Sequence, residues 1–270
     1  NGKGHGVSGC YLSTFGYGGM KIKGGDRKTL APGEHFVEHT VIEHFSLFKR
    51  TFQPAIHLDG CGIRIANNRF SHSSSSAMRL EGNDFIIEYN EFSHVVNESD
   101  DQGGIDMWNN PSYRGNIIRY NRWSDIRGGT NHGAAGVRLD DMISGVLIYG
   151  NLFERCGSLD FGGVQIHGGK DNIIDNNIFY QCPYAVSFTS WGKERWLARL
   201  DAPDTRRKLY DEVDIASIIY QERYPELKYL RENTDMNTVT NNLIIDANEQ
   251  FLRVNDHQKK SNNISLNSDG

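Results

Sequence analysis

The sequence predicts an all-β fold, a single right-handed parallel β-helix over residues 1–270 with a short helical insertion near residues 191–232. Three observations predict it. A pattern of small–apolar–x–apolar–x recurs at 55–59, 77–81, 104–108, 136–140, 163–167 and 185–189, with an earlier copy at 19–23. A second pattern ending in Asn–x–aromatic recurs at 65–70, 87–92, 118–123, 148–153 and 174–179, with a degenerate copy at 241–244. The repeat length runs from 22 residues (Ala55 to Ala77) to 32 (Gly104 to Gly136), and most of the variation falls just before the first pattern. A period of this size, with strict alternation inside each copy, means strands that pair between coils rather than within hairpins.

Each element follows from the stacking. Parallel in-register coils put equal positions about 4.8 Å apart. Asn68, Asn90, Asn121, Asn151 and Asn177 then form a ladder whose amides bond to one another and to the turn backbone. Phe70, Phe92, Trp123, Phe153 and Phe179 form an inward aromatic column. A leucine-rich repeat also has short strands and an asparagine ladder, but its leucine spacing is absent here and each coil carries two strand-like segments. Cys156 and Cys182 share the column of Val95 and Ile126 and read as buried reduced thiols, since a disulfide across in-register parallel strands is awkward. Between Trp191 and Glu232 the pattern gives way to apolar residues among many charges, which reads as short helices beside the coils. Residues 237 onward return to the β-helix, and 259–270 read as a frayed last coil. A repeat copy already present at Gly19 makes the chain read as a fragment or a processed product.

Composition narrows the function. A net charge of −5 argues against a general nucleic-acid or anionic-membrane binder. No run of about 18 apolar residues exists to span a bilayer. A monomer is expected. In the first pattern the apolar residues point inward, so the alternate ones form two outward columns. One reads Lys21, His57, Arg79, Asp106, Arg138, Gln165, Ser187; the other Lys23, Asp59, Glu81, Trp108, Asp140, His167, Thr189. One such charge is an ordinary solvated position. A strip of carboxylates, arginines, histidines and an indole has the donors, acceptors and flat apolar ring that a sugar chain asks for. The loops 97–103, 128–135 and 157–162 precede three consecutive strands of the strip and are expected to wall one edge of it.

Asp100, Asp101, Asp106, Asp140 and Asp141 concentrate there. Glycoside hydrolysis needs one carboxylic acid and one carboxylate. Asp106 and Asp140, one coil apart and two residues along, should have Cα atoms about 8 Å apart, which admits either the retaining or the inverting spacing. Trp108, Tyr113 and Trp191 are candidates to stack on sugar faces. Arg79, Glu81, Asp106, His132, Arg138 and His167 are candidates to bind hydroxyls or a carboxylate. No cofactor is expected. If calcium binds, Asp100, Asp101 and Asp106 are the oxygen ligands expected to hold it. A polysaccharide lyase acting on a uronate, with Arg138 on the carboxylate, is an alternative that the lack of a lysine in the central strip weakens. A non-catalytic carbohydrate-binding module is another.

Several stretches carry a resemblance: Gly-Gly-Asp-Arg-Lys-Thr-Leu at 24–30, Glu-Ser-Asp-Asp-Gln-Gly-Gly at 98–104, Arg-Gly-Asn-Ile-Ile-Arg-Tyr-Asn at 114–121, Val-Arg-Leu-Asp-Asp at 137–141, Gly-Val-Leu-Ile-Tyr-Gly-Asn-Leu-Phe at 145–153 and Glu-Arg-Tyr-Pro-Glu-Leu at 222–227. Together they resemble a large group of bacterial right-handed β-helix proteins that includes glycoside hydrolase family 141. The resemblance implies a secreted, periplasmic or cell-surface enzyme acting on a plant- or algal-type polysaccharide or oligosaccharide. It also implies a catalytic pair of aspartates, one in 100–103 and one in 139–141, so Asp101 with Asp141 or Asp140. The sequence departs from the group at 105–108, where a tyrosine and small residues are expected, and at His167, where a glycine is usual.

Overall fold

In the computed structural model, which describes residues 2–268, three parallel sheets of nine, nine and eight strands run the length of the chain. The fold is a single right-handed parallel β-helix with a short helical insertion, the hand that nearly all parallel crossovers take. The eight-stranded sheet collects the copies of the first pattern, among them Met78–Asn83, Gln102–Trp108, Ala134–Asp140 and Val164–His167. Its register is the one the alternation predicts: Asp106 lies between Arg79 and Arg138, and Trp108 lies beside Asp140.

The second pattern is not one strand. It is two, such as Ile86–Glu88 and Glu91–Ser93, each entering a different nine-stranded sheet. The bend comes from a left-handed residue just before the ladder asparagine: φ is 56° at Asn67, Tyr89, Tyr120 and Asn176 and 63° at Gly150. Each coil therefore has three strands where the sequence pattern shows two. The ladder holds the bend. Asn121 Nδ2 donates to Asn151 Oδ1 and to the Ile87 carbonyl, both at 3.0 Å, while its Oδ1 accepts from the backbone and side-chain nitrogens of Asn90 at 2.9 and 3.0 Å. The ladder runs on from Asn177 through Asn242 to Asn263. A shorter one at another corner, in which Asn172 Nδ2 donates to Asn237 Oδ1 at 3.0 Å, has no counterpart in the repeat as read from sequence.

The aromatic column explains why the first pattern opens on a small residue. Rings of Phe70, Phe92, Trp123, Phe153 and Phe179 stack within 8° of parallel, with centroids 5.1, 3.9, 5.6 and 4.9 Å apart. A Cβ on Gly136 would stand 2.9 Å from the Phe153 ring, and one on Gly163 2.9 Å from Phe179. Cys156 and Cys182 are free, buried thiols, pushed up by burial.

The insertion forms Gly192–Asp201, Pro203–Arg206, Arg207–Asp211, Ile218–Arg223 and Pro225–Tyr229. Its own small core includes Trp191, Trp196, Leu200, Tyr220 and Leu230. It docks where the eight-stranded sheet ends: Arg199 and Lys208 reach Asn109, and the Lys170 ammonium donates to the Tyr229 and Glu232 carbonyls. Strands resume at Thr238–Thr240. The stretch expected to fray still pairs at Lys259–Ser261 and Ile264–Leu266; its last two residues lie outside the described range.

Candidate functional site

The outward strip of the eight-stranded sheet does not face open water at its centre. Asp106, Arg138, Asp140, Gln165 and Ser187 are all buried, because loops fold over one edge. Asp100 fixes those loops. Its carboxylate accepts from the backbone N–H groups of Thr130, Asn131, His132 and Gly133 at about 3 Å, and Asp160 N–H donates to the His132 carbonyl. Burial would raise Asp100, but these donors hold its carboxyl below the usual aspartate range.

The result is a cleft of two adjoining cavities. One, of about 540 Å³, is lined by Phe52, His57, Arg79, Glu81 and Gln102; the other, of about 430 Å³, by His132, Asp141, Phe161, His167 and Thr189. Asp101, Trp108, Arg138 and Asp140 border both.

Arg138 is the hub. Its Nη2 binds Asp101 Oδ1 at 2.7 Å and Asp140 Oδ2 at 2.8 Å, and its Nη1 binds Asp106 Oδ1 at 3.4 Å. The oxygens of Asp101 and Asp140 are thus no further apart than two hydrogen bonds laid end to end. Arg79 takes the other Asp106 oxygen at 2.8 Å and Glu81 at 3.3 Å, and Glu81 also pairs with His57 at 2.9 Å. His167 Nδ1 lies 2.8 Å from Asp140 Oδ1 and 3.2 Å from Asp141 Oδ1, and the Trp108 indole N–H donates to Asp141 Oδ2 at 2.9 Å.

Five carboxyl groups therefore face two guanidiniums and two imidazoles, and the electrostatics follow from that imbalance. Burial would push Arg138 down, but Asp106, Asp140 and Asp101 raise it, so it stays charged. Burial pushes Asp106 up against the pull of Arg138 and Arg79. Burial would also raise Asp141, but bonds from His167 and Trp108 bring it below its ordinary value, so it stays ionised. Burial alone would lower His167; its bonds to Asp140 and Asp141 outweigh that and lift it to about 9, so it is an imidazolium at neutral pH. The His57 hydrogen bond, acting against burial, keeps Glu81 low.

Of the three aspartates expected to do chemistry, Asp101 and Asp141 are reachable, with side chains 44% and 29% exposed, while Asp140 is at 8%; Glu81 in the first cavity and Asp160 on the rim of the second are exposed as well. Trp108 presents its ring at 45% exposure, and His132 stands on the loop rim. Two expected stacking platforms are corrected. Trp191 is buried among the insertion helices, edge-on to His167 and covered by the Arg195 guanidinium 4.0 Å from its ring, so it supports His167 instead. Tyr113 is half-buried under the Arg27 guanidinium at 4.6 Å. The calcium ligand set is corrected too, since Asp100 is consumed by backbone donors and Asp106 by two arginines. Ligand atoms of Asp140, Asp141 and His167 do lie within 4.8 Å of one another, where an ion would have to displace the His167 proton that the two carboxylates hold.

Sequence reasoning did not single out His57, Phe52, Phe161 and Asp160. His57 carried a signal, its place in the outward column. Asp160 and Phe161 lie in the loop 157–162 expected to wall the strip, while Phe52 comes from a loop whose path the repeat does not encode.

A family model described as a right-handed beta helix region matches residues 54–196, just over half of the chain. Comparison with curated proteins gives no match.

Proposed function

The chain belongs to the right-handed β-helix family, and on that scaffold we propose that the cleft is the active site of a glycoside hydrolase working through a pair of aspartates. The observation that carries this reading is one exposed indole, Trp108, in the same cleft as the exposed carboxylates of Asp101 and Asp141. A pyranose ring stacks its C–H face on such an indole and presents its glycosidic oxygen to the carboxylates. Asp141, held ionised by His167 and Trp108, is the nucleophile or the base that activates water. Asp101, with one oxygen on Arg138, exchanges the proton with the leaving oxygen. Asp140, buried and tied to both Arg138 and His167, positions them. The substrate is a plant- or algal-type glycan met outside the cytoplasm, as the resemblance in the sequence implies.

A lyase needs an uncommitted cation for the uronate carboxylate. Arg138 already carries three carboxylates and Arg79 two, and the acid excess of the floor repels an anionic glycan, so hydrolysis fits better. The test is a polysaccharide screen followed by Asp101→Asn and Asp141→Asn on a substrate the wild type cleaves. Each should lose about 10²–10⁴-fold in rate. Unchanged rates in both remove the hydrolase reading, an unsaturated ultraviolet-absorbing product replaces it with a lyase, and binding without turnover by the wild type replaces it with a sugar-binding surface.

A further inference from the structure

Away from the cleft, the coils carry a second ordered column that the proposed chemistry does not use. His44, His72 and His94 each follow a strand of one nine-stranded sheet, Val41–Glu43, Arg69–Ser71 and Glu91–Ser93. The strand register places them one above another, and backbone hydrogen bonds fix the step: His44 N–H donates to Ser71 O, His72 N–H to Ser93 O and His94 N–H to Ser124 O. All three are left-handed, with φ of 53°, 55° and 51°, so each turn aims its side chain outward the same way. Their rings stack with centroids 5.2 and 5.3 Å apart and are exposed to solvent. Among the described residues, no hydrogen bond from the protein engages their ring nitrogens.

A carboxylate completes the group. Glu43 is oriented by the Tyr11 hydroxyl at 2.5 Å and by Ser71 Oγ at 3.3 Å, and the Tyr11 hydrogen bond, acting against burial and helped by His44, holds it below its ordinary value. Ligand atoms of Glu43, His44 and His72 lie within 4.8 Å of one another. Two imidazoles and one carboxylate form a borderline N₂O donor set, which suits Zn²⁺, Ni²⁺ or Cu²⁺ and not the all-oxygen demand of Ca²⁺. Metal–ligand bonds of about 2.0–2.2 Å need the three donors to close by roughly an ångström. Exposed side chains on a fixed backbone can supply that through small χ rotations.

We propose that Glu43, His44 and His72 form a binding site for a divalent borderline transition metal ion, with His94 next in the column as a further imidazole. The bound ion links two successive coils at an outer corner near the first turns of the helix. The site is independent of the cleft and stands or falls separately from the hydrolase reading.

The experiment is a titration of the untagged full chain with Zn²⁺ by calorimetry, repeated with Co²⁺ to read its visible absorption. It compares wild type, His72→Asn and His167→Gln. Asparagine tolerates the left-handed backbone, so His72→Asn removes a ligand without disturbing the turn. Wild type and His167→Gln should bind about one ion each with equal affinity, and His72→Asn should bind at least about tenfold more weakly, with loss of the intense four-coordinate Co²⁺ spectrum. Equal binding by His72→Asn overturns the site, as does loss of binding in His167→Gln alone, which would put the ion in the cleft. The absence of saturable Zn²⁺ binding up to about millimolar concentration overturns it as well.

Discussion

The asparagine corner and the cleft strip belong to the same coils, yet they are built by opposite rules. Down the corner each coil repeats its neighbour: Asn90, Asn121 and Asn151 bond in series, and Phe92, Trp123 and Phe153 stack in series. Along the strip each coil differs: Arg79, Asp106, Arg138 and Gln165 alternate charge and then lose it. The repeating side satisfies buried groups with copies of themselves, so its energy belongs to the fold. The strip satisfies buried charges with unlike partners, and its pairs carry more acid than base. A buried column of identical residues marks stability; a column of unlike polar residues, buried under loops, marks a site.

The largest expected effect breaks the repeating side. Trp123 is fully buried in the aromatic column. Trp123→Ala should cost about 3–5 kcal/mol in urea unfolding, through lost contacts and the cavity left behind. Its indole N–H has no partner among the described residues. Trp123→Phe, which matches the rest of the column, trades lost volume for the removal of an unpaired buried donor and should stay within about 1.5 kcal/mol of wild type. A cost from Trp123→Phe as large as that from Trp123→Ala would show that the column is fitted to the indole itself.

Next comes the ladder. Asn121→Ala leaves the Asn90 amide groups, the Ile87 carbonyl and Asn151 Oδ1 each short of a bond. The expected loss is about 2–3 kcal/mol, close to the cost of leaving one or two buried polar groups unpaired. Catalytic constants measured well below the melting temperature should be unchanged. A selective loss of activity would blur the division between the two sides.

The strip is tested by the converse experiment. Trp108→Ala removes a half-exposed ring and one hydrogen bond to Asp141, so stability should fall by only about 1 kcal/mol. The KM for a cleaved glycan should rise about tenfold, a loss of about 1.4 kcal/mol. An unchanged KM would mean that sugar does not stack there.

The repeating side was legible because repetition is itself the signal. Alternation gave the register that pairs Asp106 with Arg79 and Arg138, and Asn–x–aromatic gave the ladder and the stack. The third strand was hidden, because the bend before each ladder asparagine rests on a left-handed conformation shared by Asn67, Tyr89 and Tyr120, which no single residue type announces. The strip was legible as a set of residues but not as an environment. Alternation points Arg138 and Asp140 away from the core, and the long loops at 97–103, 128–135 and 157–162 read as a wall along one edge, but neither says how far those loops cover the strip. The same silence misplaced Trp191, whose surroundings are set by the path of the insertion, and hid the role of Asp100 in tying two loops together. The three histidines at 44, 72 and 94 went unread because they fall one residue beyond each strand, outside both patterns.

The smallest effect concerns His167, a charge held by the strip. Its imidazolium is stabilised in the folded chain by Asp140 and Asp141, which lift it to about 9; unfolded, it titrates near 6.5. A folded-state value above the unfolded one means that the native state binds the extra proton. The stabilisation is therefore complete below about pH 6.5 and is lost as pH rises through about 9. After allowance for solvent screening at a ring that is a quarter exposed, it should amount to about 1 kcal/mol. Urea unfolding of wild type and His167→Gln between pH 6 and 10 measures it. The wild type should lose stability across that window relative to the variant, and the two curves should converge at the alkaline end. Curves that stay parallel would mean that the imidazole draws no net support from the two aspartates, and that Asp141 is kept ionised by the Trp108 N–H without it.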